Sequence, residues 1–145
     1  MFLLLQSDCN YFDYEDIVGK LRFDKFIAEY FVSIIKISSV EELFKEYIDY
    51  LKVKEDYWFE SADKTILTNL SGNDKTRFVE LIKKESENVK EKDYAMHDLI
   101  YFQLDMAKSQ KNKELYYSIC DKYGDLLDKN QKEEFNEDYS SYFIL

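Results

Sequence analysis

Ser38-Ser39-Val40-Glu41-Glu42-Leu43-Phe44-Lys45-Glu46-Tyr47-Ile48-Asp49-Tyr50-Leu51 decides the fold class. A serine followed three residues later by a glutamate, just ahead of an apolar run, is the signature of a helix start, because each side chain can bond the other's backbone N–H. The box reads in two registers, Ser38 with Glu41 or Ser39 with Glu42. Leu43, Phe44, Tyr47, Ile48 and Leu51 then recur every three or four residues, which places them on one inward helix face.

The same period extends in both directions. Upstream, Ile17, Leu21, Phe23, Phe26, Ile27, Tyr30, Phe31, Ile34 and Ile35 share a broad face of a long helix that Gly19 weakens only near its start. Downstream, Ser61 caps a short helix carrying Ile66, Leu67 and Leu70, ended by Gly72 in the left-handed conformation open to glycine. Asn73 or Asp74 caps the next, with Phe78, Val79, Leu81 and Ile82 inward. The charged run Lys83 to Lys92 is its solvated extension or a loop.

Asp93 opens a fifth helix on which Ala95, Leu99, Phe102 and Met106 share one face and Met96, Ile100 and Leu104 widen it, so this segment is expected to be buried on most sides. Asn112 caps a sixth, with Leu115, Tyr116, Ile119, Cys120 and Tyr123, closed by Gly124. Asn130 with Glu133 suggests a last helix toward Phe135 and Tyr139, while Phe2–Leu5 and Phe143–Leu145 each read as a short strand or a docked tail. The fold class is all-α. Residues 1–145 are expected to form one acidic domain, a bundle or a stack of hairpins of six to seven helices, since three glycines, no proline and no low-complexity tract leave nothing resembling a hinge.

Acidic and basic residues number 30 and 20, for a formal charge of −10. A field of that sign repels nucleic-acid phosphate and anionic lipid, which disfavours direct binding to either and makes a basic protein the natural partner. No stretch has the roughly 20 apolar residues that span a bilayer. Met1–Leu5 is too short and lacks the basic flank of a secretory signal. Two cysteines, Cys9 and Cys120, fit a reduced, cytoplasmic protein better than a disulfide scaffold.

Catalytic patterns are sparse. One histidine, His97, excludes two-histidine metal sites and histidine acid/base pairs, and the phosphate-cradle, zinc-knuckle and calcium-loop signatures do not occur. Asp121, Asp125 and Asp128 have the spacing of one helix face, but Gly124 interrupts it and a row of acids is usually solvated. No enzyme activity, metal or cofactor is expected.

Three stretches interleave aromatics with carboxylates and contain no Lys or Arg. They are Asp8 to Asp16, with Tyr11, Phe12, Asp13, Tyr14 and Glu15; Glu55 to Asp63, with Asp56, Tyr57, Trp58, Phe59 and Glu60; and Glu133 to Tyr142. Aromatic anchors dominate interface energetics, and clustered carboxylates steer a basic partner. Trp58, between Tyr57 and Phe59, reads either as an interface anchor or as a core plug after the second helix.

Two segments also resemble the colicin-type DNase immunity proteins, small acidic helical inhibitors. Ser38-Ser39-Val40-Glu41-Glu42-Leu43, with Phe44 and Tyr47, resembles the start of that family's specificity helix. Asp98-Leu99-Ile100-Tyr101-Phe102 resembles its short toxin-binding helix, where an aspartate and two adjacent tyrosines make the contacts. Here Phe102 stands for the second tyrosine and Gln103 for the proline expected after it. The resemblance implies Asp98 and Tyr101 as contact residues.

Together these observations predict a stoichiometric inhibitor, an immunity or antidote protein that occludes a basic, nuclease-type toxin. The alternative is a phage- or mobile-element-encoded anti-defence protein of the anti-CRISPR kind, acting as a nucleic-acid mimic; a third is a non-inhibitory helical scaffold or regulatory module. The candidate partner-binding residues are Asp13, Tyr14, Glu15, Asp16, Glu55, Asp56, Tyr57, Trp58, Glu60, Asp98 and Tyr101.

Overall fold

The computed structural model describes residues 17–54 and 61–127. Six α-helices lie among them: α1 Ile17–Ile37, α2 Val40–Val53, α3 Ser61–Asn69, α4 Gly72–Ser86, α5 Asp98–Ser109 and α6 Lys113–Lys122. Short 3₁₀ turns at Tyr94–His97 and Gly124–Leu126 precede α5 and follow α6. The described residues contain no strand, as the all-α expectation requires. Backbone contacts divide the chain into two compact units, residues 1–78 and 79–145, with the division inside α4 between Phe78 and Val79.

In the first unit, α2 uses the second register of its capping box. The Glu42 N–H donates to Ser39 Oγ at 3.2 Å and the Ser39 N–H donates to Glu42 Oε2 at 3.3 Å. The buried face of α2 is Leu43, Tyr47, Tyr50 and Leu51, while Phe44 and Ile48 are only half-buried. This turns the helix slightly from the predicted face, because Phe31 of α1 sets its ring edge-on to both Tyr47 and Tyr50, with centroids 6.4 and 5.6 Å apart. Such edge contacts contribute about 0.5–1.5 kcal/mol beyond the area they bury. Phe78 extends the aromatic row to Tyr47 at 5.8 Å and Phe44 at 6.0 Å.

The core of this unit is completed by Ile27 of α1 and by Ala62, Ile66 and Leu67 of α3 with Leu70. α1 packs chiefly on α3 and secondarily on α2. Gly72 takes the predicted left-handed φ of 60°. It opens α4, however, so Asn73 and Asp74 lie inside the first turn and do not cap it. Lys75 donates from Nζ to the Leu67 carbonyl at 3.3 Å and thereby satisfies part of the open C-terminus of α3.

In the second unit, α5 is buried around most of its circumference, as predicted: Leu99, Ile100, Phe102, Gln103, Leu104, Met106, Ala107 and Lys108 are all inside. Against it α6 places Tyr116, Ile119 and Cys120, with Tyr123 at its end, and these join Ile100, Leu104 and Ala107 in one apolar cluster. Cys120 is buried in this cluster.

The turn between α5 and α6 is closed on both sides. Asn112 N–H donates to the Ala107 carbonyl at 2.9 Å and Lys111 N–H to Lys108 at 3.0 Å, the paired bonds of a Schellman cap, with Lys111 at φ 53° in the left-handed position. The Asn112 side chain then accepts from the Leu115 N–H at 3.0 Å and starts α6, as its sequence position predicts.

The start of α5 departs from expectation. The helix begins at Asp98 and not near Asp93, and Ala95, assigned to its inward face, is exposed. Asp93 instead accepts the Lys90 N–H on Oδ2 at 3.1 Å, and His97 Nε2 lies 3.1 Å from the Lys90 carbonyl. A carbonyl only accepts, so that nitrogen carries the proton. The two bonds hold residues 90–97 as a turn that the helical period of the apolar residues does not reveal.

Candidate functional site

Of the predicted contact residues, Asp13, Tyr14, Glu15, Asp16, Glu55, Asp56, Tyr57, Trp58 and Glu60 lie outside the described residues. So do Phe2–Leu5, the segment from Asn130 to Tyr139, and Phe143–Leu145. Asp98 and Tyr101 lie within them, one helical turn apart at the start of α5. Both are half-buried, and Tyr101 packs against the apolar cluster of the second unit. Phe102, the position of the second tyrosine in the resemblance, is fully buried.

An aromatic that the periodicity did not single out stands beside them. Tyr94 is 76% exposed, and its ring meets the His97 ring edge-on at 5.6 Å. Tyr94, His97, Asp98 and Tyr101 thus form one corner of the second unit that combines rings with a carboxylate at a helix N-terminus. A carboxylate there is favoured by the helix dipole.

One carboxylate of the second acidic stretch is withdrawn from any surface role. Asp63 is 7% exposed and accepts the hydroxyl of fully buried Tyr47 on Oδ1 at 2.5 Å. Its position in the first turn of α3 adds favourable interaction with the helix N-terminus. Tyr30 is held in a related way by Glu46, whose Oε2 accepts its hydroxyl at 2.8 Å. Burial, that bond and the nearby charges of Glu46 and Asp49 push the Tyr30 phenol well above its ordinary pKa. On the surface, Glu41 lies below the usual carboxylate range, first through a bond from its own backbone and then through Arg77, whose Nε donates to it at 3.1 Å.

The second unit also contains a cleft of about 240 Å³ lined by Lys83, Glu87, Gln103, Leu115, Ser118, Ile119, Lys122 and Tyr123. Gln103 is 3% exposed. Its Nε2 donates to Ser86 Oγ at 2.8 Å and approaches the Leu99 carbonyl at 3.5 Å, and Ser86 passes its single hydroxyl proton to the Ile82 carbonyl at 2.7 Å. At the rim, Lys122 Nζ lies 3.7 Å from Glu87 Oε1 and 5.3 Å from the centroid of Tyr123. The sequence marked Gln103 only as a departure from an expected proline; its place as the one amide within the run Leu99 to Leu104 was the available signal.

The distribution of charge is uneven. Twelve of the 30 acidic residues, but only 2 of the 20 basic ones, fall in residues 1–16, 55–60 and 128–145, so the described residues carry 18 of each and are electroneutral. The whole formal charge of −10 therefore belongs to the segments that also contain the aromatic–acidic stretches.

Among the described residues, no group of three or more His, Cys, Asp or Glu side chains is placed to hold a metal ion, and no helix is long and apolar enough to cross a membrane. Comparison with protein-family models, with characterised proteins and with solved structures finds no match to this chain.

Proposed function

We propose that the protein is a stoichiometric inhibitor that binds and occludes a basic protein, foremost a nuclease-type toxin, in the manner of an immunity or antidote protein. The observation that carries this reading is the uneven distribution of charge along the sequence: residues 1–16, 55–60 and 128–145 are rich in Tyr, Phe and Trp and hold all ten net negative charges, while acidic and basic residues balance in the rest of the chain. A net charge needed only for solubility has no reason to coincide with aromatics. Carboxylates in those segments take the places of substrate phosphates in the partner's basic cleft, and the aromatic rings supply the desolvated contact area that slows dissociation. The exposed ring of Tyr94, with half-buried Asp98 and Tyr101 following it in the chain, offers a further contact of the same chemistry.

Capture of partners from the source cell, followed by stopped-flow association with the captured protein, tests the proposal. A basic nuclease is the expected partner. Its association should slow as salt rises, because screening shortens the reach of the carboxylates to about 8 Å at physiological ionic strength. Combined replacement of Asp13, Glu15 and Asp16 by their amides should reduce the association rate and flatten that salt dependence. Rates indifferent to salt and to those replacements would remove the electrostatic argument, and capture of an RNA-guided effector would move the protein to the anti-defence class.

A further inference from the structure

The cleft of the second unit has the features of a built small-molecule site, and its polar groups can be assigned one by one. Ser86 spends its only proton on the Ile82 carbonyl, so its oxygen faces Gln103 as an acceptor. The Gln103 amide must therefore present its NH₂ end to Ser86 and Leu99, which uses both N–H groups. Its Oε1 is left over. None of the described residues donates to this oxygen, although the residue is almost wholly buried and lines the cleft.

This oxygen is not one of the sealed side-chain atoms without a partner among the described residues, so it reaches the solvent of the cleft and is available to accept an N–H or O–H from an occupant. Ser118 repeats the pattern at the edge, since its hydroxyl proton goes to the Leu115 carbonyl at 2.8 Å and leaves only lone pairs outward. Glu87 adds a carboxylate. On the other side stand two ammonium groups, Lys83 and Lys122. The contact of Lys122 with Glu87 is exposed and long, and such a pair is weak enough for an arriving anion to redirect the lysine. Leu115, Ile119 and Tyr123 supply an apolar wall.

We infer that this cleft binds a free amino acid or a close zwitterionic analogue with an apolar side chain. The ammonium group donates to Gln103 Oε1 and its acidic neighbour, the carboxylate meets Lys83 and Lys122, and the side chain covers the apolar wall. Size agrees with this class, because about 240 Å³ lies below the roughly 300–1,000 Å³ of pockets that take drug-sized ligands. The inference does not rest on the partner-binding reading above, which uses other segments of the chain.

The test uses the full chain with L-phenylalanine as the probe, and with phenylacetate and phenethylamine as analogues that each lack one pole. Saturable binding of L-phenylalanine is expected in about the millimolar range, the affinity open to a ligand of that size. Each one-pole analogue should bind about tenfold more weakly, one charged contact being worth roughly that factor. Lys83→Ala and Lys122→Ala alter exposed side chains, so both should fold and both should weaken L-phenylalanine binding. The Gln103 side-chain amide resonances should shift during the titration. Failure of L-phenylalanine to saturate, equal binding of all three probes, or binding unchanged in both lysine variants would each overturn the inference.

Discussion

Tyr47→Phe isolates the bond that fixes Asp63 inside the first unit. The ring remains, so the edge-on contact with Phe31 and the tilted contact with Phe78 survive, and the hydroxyl donated to Asp63 Oδ1 is removed. Both residues are buried. A hydrogen bond to a charged group contributes roughly 1.5–3 kcal/mol, and solvent cannot readily replace the lost donor at a buried carboxylate. The expected destabilisation is therefore about 2 kcal/mol, measured as a shift in urea midpoint at constant slope. Asp63→Ala, which removes the acceptor, and the double variant complete a cycle in which the contribution of Asp63 to the α3 dipole appears in both backgrounds and cancels. A coupling of about 1.5 kcal/mol or more is expected. A Tyr47→Phe cost below about 0.5 kcal/mol, or strict additivity in the cycle, would refute the structural assignment of Asp63 and return it to the surface cluster.

Asn112→Ala should cost about 1 kcal/mol by removing the cap of α6. Lys111→Gly should add about 0.5–1 kcal/mol by relieving a left-handed side chain, both read by thermal or urea unfolding. The raised Tyr30 pKa works against folding in alkali: its contribution is fully present below the unfolded value near pH 10 and is lost as pH rises from there toward the folded value. Tyr30→Phe should therefore unfold less steeply with pH above about 10, and an unchanged alkaline slope would remove Tyr30 from that role. Trp58→Ala should lose roughly 2 kcal/mol or more of partner binding with little change in stability; strong destabilisation with normal binding would make Trp58 a core residue.

The features legible in the sequence were those whose cause is local. Ser39 with Glu42 and Asn112 with Leu115 close bonds within one turn, so residue type and spacing sufficed to place them. The apolar character of α5 was equally visible, because Leu99, Ile100, Phe102, Leu104, Met106 and Ala107 leave only a narrow stripe of Asp98, Tyr101 and Asp105 for the less buried side. What failed depended on residues brought together from elsewhere. Ala95 fits the helical period of Leu99 and Phe102, yet Asp93 and His97 both bond Lys90 and hold the preceding residues in a turn. Asp63 belongs by composition to an acidic stretch, and only the position of Tyr47 on a different helix makes it internal. Gln103 gained its meaning from Ser86, 17 positions away. For the site, Asp98 and Tyr101 lie on a helix as expected, but at its start and not inside one begun at Asp93, and exposed Tyr94 was missed because its exposure follows from the turn.

The junction between α5 and α6 makes Asn112 the last partner of one helix and the first of the next: its backbone ends α5 and its side chain begins α6. A connection in which one residue performs both tasks has no slack. An added residue on either side would separate the two bonds, so that Asn112 could keep only one of them, and the phase between the inward faces of α5 and α6 would shift with it. This part of the chain should tolerate substitution far better than insertion, and length variation among related sequences is expected elsewhere.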